Sequence, residues 1–104
     1  MTDAGIVHIA NSAFMQNLEH LYLDDNNLGV PACQALASSS YITKLKFLSF
    51  KNNPIGGQGF SFLLLSHNFG SLTTLLLTHN EISREGANSI EKSPWFSGLE
   101  HLDI

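Results

Sequence analysis

One stretch of this chain is written again at a fixed interval, and that recurrence constrains everything else. Leu18-Glu-His-Leu21-Tyr-Leu23-Asp-Asp-Asn26-Asn-Leu28 returns as Leu45-Lys-Phe-Leu48-Ser-Phe50-Lys-Asn-Asn53-Pro-Ile55, and again as Leu72-Thr-Thr-Leu75-Leu-Leu77-Thr-His-Asn80-Glu-Ile82. A shortened copy, Leu99-Glu-His-Leu102-Asp-Ile104, closes the sequence, and each copy begins 27 residues after the one before it. A repeat of this length is one supersecondary unit that cannot bury its apolar face alone, so neighbouring units must stack.

Each copy alternates apolar and variable positions, as Leu21 and Leu23 do between His20, Tyr22 and Asp24, which is the pattern of a half-buried strand. A helical stretch follows. Residues 3–17 align with the back half of a unit, predicting a helix over residues 3–12 with Asp3 as its cap. Gly29-Val30-Pro31 opens the next helix, with Pro31 in the first turn, where its missing donor does no harm. Cys33, Leu36 and Ala37 form that helix's inward stripe, and Ser38-Ser39-Ser40 ends it. Gly56-Gly57-Gln58-Gly59 reads as the loop approaching a helix that carries Phe60, Leu63 and Leu64. In the third copy Ser83 is expected to cap a helix whose Ala87 and Ile90 point inward. Ser93-Pro94 closes it, because Pro94 restricts the residue before it and cannot continue the turn. Trp95-Phe96, in the column of Tyr41-Ile42 and Asn68-Phe69, seals the bottom of the core. The chain thus divides into a half unit (1–17), three full units (18–44, 45–71, 72–98) and a truncated unit (99–104), all within one domain. Asn26, Asn53 and Asn80 stand where the chain leaves each strand, and their amides are expected to bond backbone groups of the turn.

Stacked strands lie roughly 4.8 Å apart, whereas helices are about 10 Å wide. The stack therefore curves. The expected fold is an α/β solenoid, a horseshoe arc with a parallel sheet on its concave face and α-helices on its convex face. The pattern Leu-x-x-Leu-x-Leu-x-x-Asn-x-Leu resembles the leucine-rich repeat family, with Phe50 and Ile104 as conservative replacements in the third apolar slot. The helical second half, with Gly or Ala near its start, is similar to the ribonuclease-inhibitor-like subfamily. That resemblance covers nearly the whole chain. It implies a binding role of the kind seen in enzyme inhibitors, activators of small GTPases, sensors and scaffolds. Ribonuclease inhibitors themselves are rich in cysteine, and this chain has one.

Composition narrows the classes further. With 43% hydrophobic and 13% charged residues the chain suits a folded domain. A net charge of −4 argues against a phosphate-binding surface, so nucleic acid is not an expected partner. The lone Cys33 and the absence of an Asn-x-Ser/Thr acceptor agree with a reducing compartment, cytoplasmic or nuclear. Met1-Thr-Asp-Ala-Gly shows no basic region leading into an apolar run, so no signal peptide is expected. The longest apolar stretch, Phe62 to Leu65, is too short to span a bilayer, and no membrane partner is expected.

No cofactor, metal or catalytic chemistry is expected. A zinc site needs three or four converging ligands, yet His20 and His101 share a sheet column three strands apart, roughly 14 Å at sheet spacing. His8 and His67 fall near helices, and His79 approaches only Asn52 and Asp25. Cys33 reads as a small buried hydrophobe without a basic neighbour to activate it. The glycines at 56–59 lack the Lys-Ser/Thr of a phosphate loop, and Asp24-Asp25 reads as a solvated rim.

The positions that the repeat leaves free are the candidate protein-binding residues of the concave face. They are His20, Tyr22, Asp24 and Asp25; Phe47, Ser49, Lys51 and Asn52; Thr74, Leu76, Thr78 and His79; and His101 and Asp103. Tyr22, Phe47 and Leu76 are apolar where folding does not require it and lie in a zigzag on neighbouring strands, close enough diagonally to touch. Apolar anchors ringed by polar groups are the composition of binding hot spots. The capping units that solenoids carry at their ends are missing. Either the chain is a fragment of a longer repeat protein, the favoured reading, or its ends stack on another copy or a partner.

Overall fold

The computed structural model describes residues 1–82 and 89–104. The described elements are α1 (Asp3–Ala10), β1 (His20–Tyr22), α2 (Val30–Ala37), β2 (Phe47–Ser49), α3 (Gly56–Leu64), β3 (Thr74–Leu76) and β4 (His101–Asp103), with short 3-10 turns at Ala13–Met15, Ile90–Lys92 and Phe96–Gly98. The four strands form one parallel sheet in chain order. Leu21, Leu48, Leu75 and Leu102 stand opposite one another in register. Parallel strands need a crossover between them, and α2 and α3 supply it. α1 packs on α2, and α2 on α3.

The alternating leucines bury one side of the sheet against the helices. Leu48 and Leu75 on the central strands are fully buried, together with Leu45, Phe50, Leu72 and Leu77. Their counterparts on the outer strands, Leu21 and Leu102, are half-buried. From the helices the core takes Ile6, Ala32, Cys33, Leu36, Phe60, Leu63 and Leu64. Trp95 closes it, its ring edge-on to Phe69 at 5.7 Å and its indole N–H donating to the Leu63 carbonyl at 3.0 Å.

The turns after β1, β2 and β3 are built from residues with left-handed backbone. Asp25, Asn52 and His79 occupy equivalent places, with φ of 59°, 59° and 60°. Asn27 and Glu81 repeat the step two residues later, at φ of 52° and 59°. The middle turn has Pro54 in that slot, and its ring locks φ near −65°. There the left-handed step falls instead on Gly56, at φ 66°, where glycine carries no Cβ penalty.

Several expectations are corrected. The cap of α1 is Thr2, whose hydroxyl accepts from Gly5 N at 3.2 Å, and the helix ends at Ala10 rather than residue 12. Asp3 is a cap, but of the next helix: its Oδ1 accepts from Gly29 N at 3.1 Å and Ala32 N at 3.0 Å. Gly29 has no side chain to cap α2 itself, so a neighbouring unit supplies the acceptor. Gly56 and Gly57 form the first turn of α3 instead of the loop before it. Ala37 is only half-buried, and Ala32 takes its place against the core. Ser83 and Ala87 lie outside the described residues; Ile90 does pack against the core, from a 3-10 turn.

Candidate functional site

The outward rows of the sheet follow from its register. One row is His20, Phe47, Thr74 and His101; the other is Tyr22, Ser49, Leu76 and Asp103. Six of the candidate residues are exposed: His20, Tyr22, Asp25, Asn52, His79 and His101. Asp24, Phe47, Lys51, Thr74, Leu76, Thr78 and Asp103 are half-buried. Ser49 departs from the expectation, at 1% exposed. It stands in register between the larger Tyr22 and Leu76, and its hydroxyl donates to Asp24 Oδ1 at 2.5 Å. Ser49 therefore positions Asp24 and presents nothing to a partner.

The structure brings together part of the zigzag. The Tyr22 and Phe47 rings lie 4.8 Å apart between centroids, tilted by 35°. His20, another of the expected concave-face residues, joins them at 6.0 Å from Phe47. Tyr22 is 66% exposed, so this aromatic shelf is offered to solvent. Leu76 sits one strand further on, with Ser49 between it and Tyr22. His20 and His101 occupy opposite ends of their row.

The carboxylates beside the shelf are held in place. Asp24 Oδ1 also accepts from Lys51 N at 2.9 Å, and Asp25 Oδ1 accepts from Asn52 Nδ2 at 2.6 Å. Among the described residues the ion pair is Lys46 with Glu19 at 3.4 Å, on the surface at the other end of the strands. Neither Asp24 nor Asp25 meets a cation among the described residues.

Behind this face, Asn53 joins two turns. Its Oδ1 accepts from Asn26 N and Leu28 N at 3.1 and 2.9 Å, and its Nδ2 donates to the carbonyls of Leu23, Phe50 and Lys51. A family model described as Leucine Rich repeat matches residues 14–37 and 71–90. These matches support a leucine-rich repeat protein. They take in β1, α2 and β3, and the parallel sheet with its helices fits the α/β leucine-rich repeat fold. No curated protein matches the chain. Leucine-rich repeats are generally protein-interaction modules and typically non-catalytic. No helix among the described residues is long and apolar enough to cross a membrane.

Cys33 is fully buried between α2 and its neighbours, and its thiol is pushed from 9.0 up to about 12 by burial first and by the charge of Asp3 second. A thiol so protonated is a poor nucleophile. A second column of polar residues went unread in the sequence. Ser12, Ser39, Ser66 and Ser93 each accept from the backbone N–H two residues on, and Ser39 and Ser66 also donate to the carbonyls of Ala10 and Ala37 in the preceding helices. Their even spacing was visible in the sequence, but serine at a helix end reads as generic punctuation. This column organises the base of the core, away from the sheet face.

Proposed function

We propose that this leucine-rich repeat chain is a non-catalytic module that binds a protein partner through the concave face of its sheet. The exposed aromatic shelf of Tyr22, Phe47 and His20 carries the reading. A single exposed ring needs no explanation, but three clustered on one face beside polar residues such as Asp24, Lys51 and Thr74 have the make-up of an interaction hot spot. The finer features belong to the same proposal: a single domain of 27-residue units curved into a solenoid arc, of ribonuclease-inhibitor-like type, acting in the cytoplasm or nucleus.

Two roles are compatible with such a surface. One is a scaffold or sensor module, as part of a larger repeat protein. The other is an enzyme regulator, an inhibitor or GTPase activator, which predicts a changed turnover rate of the partner enzyme on addition of this chain. End-to-end self-association through the outer strands is a separate proposal that a concentration series in sedimentation velocity tests. The main reading is tested by affinity capture from source-cell lysate, comparing the native chain with a Tyr22→Ala, Phe47→Ala, Leu76→Ala variant whose circular dichroism is unchanged. Phe14→Ala serves as control, since Phe14 is 93% exposed and lies outside the sheet. A protein captured by the native chain and the control but lost with the triple variant is the expected result. Equal capture by all three overturns the concave site.

A further inference from the structure

We infer that the partner residue received by this face is an arginine, its guanidinium stacked on the Tyr22–Phe47 shelf and paired with the carboxylates of Asp24 and Asp25; this rests on the concave-face reading above. The stacking surface is present, with two rings 4.8 Å apart and one of them 66% exposed. The charge lies beside it. Ser49 stands opposite Tyr22 in register and fixes Asp24 Oδ1, so that carboxylate is held at the strand adjoining the shelf. Lys51 N holds Asp24 and Asn52 Nδ2 holds Asp25, both from the turn that follows β2. Both carboxylates thus spend one oxygen on intramolecular bonds, and the structure gives neither second oxygen a donor among the described residues.

An apolar occupant would use the rings but leave two oriented carboxylates facing an uncharged surface. An ammonium would use the charge but not the plane. A guanidinium uses both, because it is flat, stacks on aromatic faces and offers parallel N–H donors to carboxylates. The overall charge of −4 favours approach of a cationic segment.

The test is an amide-resolved NMR titration of the 15N-labelled chain with blocked tripeptides. Acetyl-Gly-Arg-Gly-amide is compared with its citrulline, lysine and leucine counterparts. Citrulline keeps the shape and removes the charge; lysine keeps the charge and removes the plane. The expected result is saturable shifts at residues 22–25 and 47–52 with the arginine peptide, and affinity weaker by about tenfold with citrulline. Asp25→Asn, an exposed change, should reduce the arginine affinity while leaving the rest of the spectrum in place, and Tyr22→Ala should do the same. Equal response to citrulline or leucine overturns the ion pair, and equal response to lysine overturns the stacked guanidinium. Shifts elsewhere, or none, overturn the site. Loss of arginine binding with retained capture by the native chain alone, and not by the triple variant, would sink this inference and leave the concave-face reading standing.

Discussion

Asn53 and Asn80 fill the same place in successive turns, yet their surroundings differ. Asn53 is fully buried and makes five hydrogen bonds, two of them accepted from the turn of the preceding strand. Among the described residues Asn80, at 2% exposed, donates one long bond to the Thr78 carbonyl at 3.4 Å, and its Oδ1 has no donor. Asn26, at the first turn, is half-buried, donates to the Asp24 carbonyl and accepts from the N-terminal ammonium. One residue type in one slot therefore serves three ends. What an asparagine contributes is set by the turns beside it rather than by its own motif.

Replacing Asn53 with alanine should break that contrast most sharply. It strands Leu28 N and the carbonyls of Leu23 and Phe50 inside the protein, and each buried group left unpaired costs about 1–3 kcal/mol. A loss of roughly 3–5 kcal/mol is expected in urea unfolding, against about 1 kcal/mol or less for Asn80→Ala and Asn26→Ala. Equal losses at all three positions would show that the turns are energetically independent.

The repeat made most of the fold legible, because leucines at strand spacing specify which face is buried whatever the neighbours are. Leu48 and Leu75 are where that logic puts them. It misled where one unit reaches into the next. Asp3 looked like the cap of its own helix by local spacing, but it bonds Gly29 N and Ala32 N, 26 and 29 residues away. Ser49 looked outward by alternation, and its small size lets Tyr22 and Leu76 cover it. For the site, the Tyr22–Phe47 contact was readable from register, whereas the part played by His20 and the anchoring of Asp24 required side-chain positions.

The same contrast between middle and outer units recurs at glycine. Gly5 and Gly59 hold one repeat slot, with Ala32 between them. A Cβ at Gly59 would lie 2.9 Å from Ile55 Cβ and 3.2 Å from Cys33 Sγ, both in the core. At Gly5 the close atom is Met1 Sδ at 2.8 Å, the far end of a flexible and exposed side chain. Gly59→Ala should destabilise by about 1–3 kcal/mol through overpacking. Gly5→Ala should be neutral or stabilising by up to about 1 kcal/mol through helix propensity. Thermal unfolding of the two variants side by side checks this, and a Gly59→Ala chain as stable as the native one would mean that α2 and α3 separate freely.

Cys33 sharpens the comparison through pH. Burial raises its folded-state pKa, so the folded chain keeps the proton that the unfolded chain releases first. The stability tied to that thiol is complete below pH 9.0 and is lost as pH rises from there toward about 12. Within that window the loss should run at about 1.4 kcal/mol per pH unit. Other groups titrate there too, so the measurement is the difference in unfolding free energy between the native chain and Cys33→Ala at pH 7 and pH 10. A difference that stays constant would place the thiol in contact with water.

The smallest effect concerns the two caps at the start of the chain, and it separates local from inter-unit bonding. Thr2 caps α1, which among the described helices packs on α2, whereas Asp3 caps α2, which packs between α1 and α3. Loss of a capping side chain costs typically about 1 kcal/mol. Asp3→Ala should show that full cost, because α2 carries Ala32, Cys33 and Leu36 into the core and cannot fray without uncovering them. Thr2→Ala should show less, since the first turn of α1 can open while its buried Ile6 and Ala10 stay in place. Hydrogen exchange distinguishes the two: Asp3→Ala should speed exchange at residues 32 and 33, and Thr2→Ala at residues 5 and 6. Removing the Asp3 charge should also lower the Cys33 pKa, since that carboxylate helps to raise it. If Asp3→Ala perturbs only α1, its bonds to Gly29 and Ala32 contribute nothing, and α2 holds its first turn without a side-chain cap.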